Sequence, residues 1–254
     1  MTAEINKIVK MKKNLIYFPF YIFLLLNANC KSSIKEASIL LFNGTGTSAN
    51  DVEAIKNILL VNHLNFVLAN SAQLNNLDTT ELRKYKLIIV PGGNFIDIGK
   101  SLTENTTSNI QKAVHQGLNY LGICAGGFLA GDTRNNSFNI AKGVQFRFYS
   151  AEDKGIRKAS VTIINADGSK LDNYWEDGPQ FSGWGEIISK YPDGTPATVE
   201  ASFGSGWVVL TGVHPEAPES WRKEFHFSTS IENSHDYAGR LIKAALEKIN
   251  MPHF

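Results

Sequence analysis

Short apolar runs and amphipathic stretches alternate along most of this chain. Ser38–Phe42 is apolar and ends in Asn43–Ser48, a glycine- and hydroxyl-rich turn, so it reads as a buried strand and a pocket rim. Asn50-Asp51 then caps a helix reaching about His63, with Val52, Ile55, Ile58, Leu59 and Leu60 near one face. Asn65–Ala69 is a second strand. Lys86–Val90 is a third, cut off by Pro91-Gly92-Gly93. Thr107–Gln116 is helical and stopped by Gly117; Leu118–Leu121 is the fourth strand, and Gly122–Gly127 turns the chain into a helix at Phe128–Ala130. Alternation of this kind predicts a parallel sheet with helices on both faces. The second half changes style. Ser160–Ile164 is a strand followed by a turn at Asn165–Gly168, Ala197–Leu210 is a hairpin, and His235–Lys248 is a closing amphipathic helix.

The first thirty residues follow a different rule. Lys12-Lys13 precede the apolar run Leu15–Leu26, about a dozen residues and the length of a signal core rather than a membrane span. Met11 is a candidate true start. Asn27-Ala28-Asn29-Cys30 followed by Lys31-Ser32-Ser33 resembles a bacterial lipoprotein signal, which implies cleavage and lipidation at Cys30. The expected organisation is an export signal over 1–30, a tether over 31–36 and one domain over 37–254. The expected location is the bacterial cell envelope, facing the periplasm or the exterior, with the membrane engaged through an N-terminal lipid or signal anchor.

Composition narrows the function classes. With 25 basic and 24 acidic residues in 254, there is no electrostatic footprint for nucleic acid. The two cysteines, Cys30 and Cys124, sit in unrelated contexts and are not read as a disulfide; no Cys/His cluster has zinc spacing, so neither a metal nor a cofactor is expected.

Three segments carry candidate chemistry. Cys124 lies at a strand-to-helix turn with glycines two residues before and after, as an exposed nucleophile on a tight elbow requires. The start of the following helix favours a thiolate. His214-Pro215-Glu216 follows an apolar strand, and residues two apart share a side, so Glu216 is placed to orient His214. Gly92-Gly93 ends a strand with open backbone, and the N–H groups of Gly93 and Ala125 are candidate oxyanion donors. Gly92, Gly126 and Tyr174 are placed at the same pocket. Taken singly, each segment also reads as an inert buried cysteine, a surface loop and a plain turn. Together they fall at the carboxyl ends of strands, where ligands of such sheets bind.

These features resemble the class I glutamine amidotransferase-like superfamily. Leu121–Ala130, Val90–Gly93, Tyr174–Phe181 and Gly212–Glu216 more closely resemble the biotin–protein ligase N-terminal domain family. The resemblance implies an α/β flavodoxin-like three-layer sandwich with a mostly parallel sheet, in which Cys124 is the nucleophile, His214 the base and Glu216 its support. Phe128 stands where glutamine-hydrolysing members carry glutamine, and no Gly-Arg-Gly-Arg type biotin-adenylate motif is present. The expectation is therefore a cysteine hydrolase or amidase acting on an unidentified small molecule or peptide, and not a biotin ligase. The alternative is a non-catalytic module that binds a small molecule or peptide in the same pocket. A redox role would call for a carboxylate near the thiol from the turn after the first strand, and Asn43–Gly46 has none.

Overall fold

The computed structural model describes residues 37–131 and 136–254, which lie within one compact unit. The export signal, the tether and Cys30 lie outside the described residues. Eleven strands and eight helices follow in order: β1 (Ile39–Phe42), α1 (Ala49–Val61), β2 (Phe66–Ala69), α2 (Ser71–Asn75), α3 (Thr79–Leu82), β3 (Leu87–Val90), α4 (Phe95–Ser101), α5 (Glu104–His115), β4 (Asn119–Ile123), α6 (Ala125–Ala130), β5 (Gln145–Phe148), β6 (Lys158–Asn165), β7 (Lys170–Glu176), β8 (Pro179–Ser182), β9 (Glu186–Lys190), β10 (Pro196–Phe203), β11 (Gly206–Thr211), α7 (Glu219–Arg222) and α8 (Ile231–Glu247). Among these helices none is long and apolar enough to cross a membrane.

Nine strands form one sheet in the order β2-β1-β3-β4-β11-β10-β9-β6-β7, and β5 pairs with β8 apart from it. The pairs β2-β1, β1-β3, β3-β4 and β4-β11 are parallel. From β11 outward the pairing is antiparallel. The central parallel strands β1 and β3 are apolar throughout because both of their faces are covered, whereas β2 is a partly exposed edge strand. Ile39, Leu41, Leu87, Ile89 and Val209 meet the α1 and α8 side, while Leu40, Phe42, Ile88, Val90 and Val208 meet the α5 and α6 side. In the antiparallel half one face is wetter, and β6 alternates exposed and buried positions along Val161–Ile163.

Several boundaries differ from the sequence expectation. Ser48, not Asn50 or Asp51, caps α1, its Oγ accepting the Asp51 N–H at 3.4 Å. Asp51 is fully buried and its carboxylate turns inward. Helix α5 begins at Glu104 because Thr103 caps it, and α8 begins at Ile231 because Ser230 caps it. Helix α6 starts directly after Cys124, three residues earlier than the apolar pattern indicates.

Candidate functional site

Strand order reverses on either side of β1, and at such a switch point the loops leaving adjacent strands diverge and open a crevice. A cleft of about 480 Å³ lies there. Its wall takes Ser48 from the loop after β1, Gly93 and Asn94 from the loop after β3, Cys124 and Ala125 after β4, and His214 after β11. The first two loops are zipped together. Ser48 N–H donates to Gly92 O at 3.0 Å, Asn94 N–H donates to Gly46 O at 2.8 Å, and Thr47 bridges Gly93.

Cys124 adopts φ 47° and ψ −101°, a left-handed conformation rare for a residue with a side chain. Its N–H donates to Thr211 O at 2.8 Å and its carbonyl starts α6 by accepting from Phe128 N–H at 3.1 Å. The sharp turn is possible because the flanking positions lack side chains. A Cβ on Gly122 would stand 2.5 Å from Gly126 O, and one on Gly126 would collide with Val90 O. The thiol is 6% exposed, lies 3.6 Å from the Glu176 carbonyl and is the free cysteine of the described residues.

His214 is positioned from both ends. Its backbone N–H donates to Tyr174 O at 2.8 Å, and its ring packs edge-on to Trp221 at 5.6 Å and to Tyr174 at 6.0 Å. Nδ1 bonds Glu216 Oε1 at 2.7 Å. Cys124 lines the same cleft wall as the ring. Nδ1 also lies 3.7 Å from Asp51 Oδ1, and Asp51 Oδ2 accepts the Gly92 N–H. Gly92 must be glycine, since a Cβ there would stand 2.5 Å from Asp51 Oδ2 and 2.6 Å from His214 Cε1.

Burial opposes charge on His214, but Glu216, Cys124 and Asp51 outweigh it and raise the imidazole well above its ordinary value. Glu216 is pushed up to about 8, first by burial and then by the Asp51 charge. Burial also acts on Asp51, yet its bonds to His214, Glu216 and Gly92 prevail and lower its carboxyl. On β7, burial and the Glu176 carboxylate push the Tyr174 phenol up, so it stays protonated and donates to Glu176 Oε2 at 2.7 Å.

The structure thus brings Cys124, His214, Gly93 and Ala125 to one cleft wall, with Glu216 buried behind His214. Gly92, Gly126 and Tyr174 stand immediately behind that wall: Gly92 holds Asp51, Gly126 packs on Val90, and Tyr174 backs the imidazole. Asp51 is the residue the sequence reading missed. Its place in the first turn of a helix looked like capping, and only its full burial separates the two roles. Among the described residues, Asp51, His214 and Glu216 also place donor atoms within 4.8 Å of one another. All three are buried, Glu216 bonded to the His214 ring and Asp51 3.7 Å from it, and neither acid lines the cleft, which is the arrangement of a buried relay rather than of an open coordination site.

The opposite wall is aromatic. Phe128 stacks on Phe95 at 4.8 Å and packs against Phe148 at 5.3 Å. At the mouth, Arg157 bonds Glu152 at 3.0 Å and pairs with Asp177.

Residues 37–142 match the family described as "Biotin-protein ligase, N terminal". The biotin–protein ligase of Schizosaccharomyces pombe is 26% identical over 214 residues, an alignment covering 70% of this chain and 33% of the relative. The chain therefore spans about a third of that protein's length. A glutamine amidotransferase from Thermotoga maritima superposes with a TM-score of 0.56 at 11% identity, covering 82% of this chain and 97% of that one. An exo-β-1,4-mannosidase from an Opitutaceae bacterium superposes with a TM-score of 0.53 at 12% identity, covering 82% of this chain and 36% of that one. At such identities the likeness is one of fold. Over residues 37–142 this chain is similar to the biotin–protein ligase N-terminal family, and its fold is like that of the Thermotoga maritima glutamine amidotransferase.

Proposed function

We propose that the protein is a cysteine-nucleophile hydrolase acting on an amide or ester whose acyl part is aromatic or bulky and apolar. The observation that carries this reading is Cys124 on a left-handed elbow, lining the same cleft as a histidine whose Nδ1 is held by a buried carboxyl group. His214 takes the thiol proton, and the Cys124 sulfur attacks the substrate carbonyl carbon. The resulting oxyanion is met by the N–H groups of Gly93 and Ala125 at the cleft wall. The carbon–nitrogen or carbon–oxygen bond then breaks, and His214 returns its proton to the leaving group. Water, deprotonated by His214, attacks the thioester, and the acid leaves with the free thiol regenerated. Phe95, Phe128 and Phe148 offer the acyl group an apolar wall.

The experiment that tests this is alkylation of Cys124 by iodoacetamide at pH 7. The wild type is expected to react at least about tenfold faster than His214→Ala, since the thiolate is the reactive form. Equal rates would remove the hydrolase reading and leave a binding module on the same pocket. We also propose export and lipid attachment through Cys30, supported by the Lys12–Cys30 pattern. Labelled palmitate should enter the wild type and be lost in Cys30→Ala; label that persists in the variant would rule the attachment out.

A further inference from the structure

Two carboxylates crowd His214, and the proposed chemistry uses one. Asp51 and Glu216 are both 0% exposed, and their elements are far apart in sequence, one in the first turn of α1 and one after β11. The buried surroundings of the two differ in kind. Asp51 Oδ2 receives a backbone N–H from Gly92, a dipole that stabilises negative charge. Glu216 borders a small apolar cavity whose walls include Ile55, Ile123, Ala238, Leu241 and Ile242, where an anion has no compensation. One oxygen on each side, Asp51 Oδ1 and Glu216 Oε2, is buried without a partner. Two buried anions at this separation would repel each other, and the single imidazolium cannot neutralise both.

We propose that Asp51 is the charged positioning residue for His214, and that Glu216 is carried as the neutral acid with its proton directed to Asp51. One proton between Oε2 and Oδ1 gives both orphaned oxygens a partner. Glu216 Oε1, as the carbonyl oxygen of the acid, still accepts the His214 Nδ1–H at 2.7 Å. The charge inventory behind the cleft wall becomes one imidazolium and one carboxylate, with the neutral acid as the bridge. The other groups facing the cluster fit this balance. Cys124 lies on the cleft side of the imidazole, Tyr174 presents its ring edge and keeps its proton for Glu176, and Trp221 covers the imidazole. Where α8 packs, Ala238, Leu241 and Ile242 bring no charge. The raised carboxyl of Glu216 and the lowered carboxyl of Asp51 run in the direction this arrangement requires.

The inference rests on His214 being the partner of Cys124, but its test reads protons rather than reactivity, so the two fail separately. The His214 imidazole is followed by NMR against pH in wild type, Asp51→Asn and Glu216→Gln. Asp51→Asn is expected to lower the His214 midpoint by at least about one pH unit, the loss of an opposite charge at this range. Glu216→Gln, which keeps shape and hydrogen bonding, is expected to move it by less than half as much. The reverse order would overturn the proposal. Should either variant fail to fold, infrared spectroscopy of the wild type decides. A protonated carboxyl band at pH 7 that disappears as the pH passes about 8 supports the neutral acid. Its absence at pH 7 overturns it.

Discussion

At Cys124 the backbone sits at φ 47° in a position where glycine would be easiest, and the strain persists because the thiol must stand at the head of α6. Glu216 and Asp51 carry the complementary cost, that of charge and proton held out of water. The pH dependence of stability follows from them. Glu216 is raised from 4.5 to about 8 on folding, so the native state holds a proton that the unfolded chain releases. Its contribution is complete below pH 4.5 and is lost as pH rises through about 8. His214, also raised, adds a contribution complete below 6.5 and lost further into the alkaline range. Asp51 is lowered and acts at the opposite end, its contribution present above 3.8 and lost as pH falls. The melting temperature measured by calorimetry should therefore decline from pH 5 to pH 9, and Glu216→Gln should flatten the part below about 8. An unchanged slope in the variant would mean that Glu216 is already ionised. Residues whose chemistry is written in a local motif, Cys124 and His214-Pro215-Glu216, were legible in the sequence. Asp51 was not, because an acidic residue in a first helical turn has an adequate local explanation, and its real partner, Gly92, is 41 positions away.

Among the elements, α6 shows most clearly how packing overrides propensity. Three of its residues, Gly126, Gly127 and the capping Gly131, are poor helix formers, yet each meets another group closely. Gly126→Ala would gain about 1 kcal/mol from propensity alone. The added methyl collides with Val90 O, so the variant should instead lose about 2 kcal/mol or more in urea unfolding. A stabilised variant would show that β3 and α6 separate easily. Helix α6 has only six residues, so its dipole is a short one. The apolar runs revealed the parallel strands. Strands β5 and β8 were missed because each is short and of mixed polarity and its partner is distant in sequence; β7 and β9 were missed too, although each pairs with the strand next to it in the chain.

In the molecule as a whole, β11 is the seam where parallel pairing gives way to antiparallel. Sequence alternation revealed the parallel half and the β10–β11 hairpin, whereas the pairing of β6 with β9 and of β4 with β11 joins segments that no local window contains. Order of synthesis gives that seam a further meaning. Asn119 and Trp207, joined by a side-chain hydrogen bond across the β4–β11 junction, are 88 residues apart. Loop closure over such a distance is among the slower steps of folding. The elbow that holds Cys124 is translated long before the strand that delivers His214. A chain caught during translation, or one broken before Gly206, thus carries Cys124 without His214.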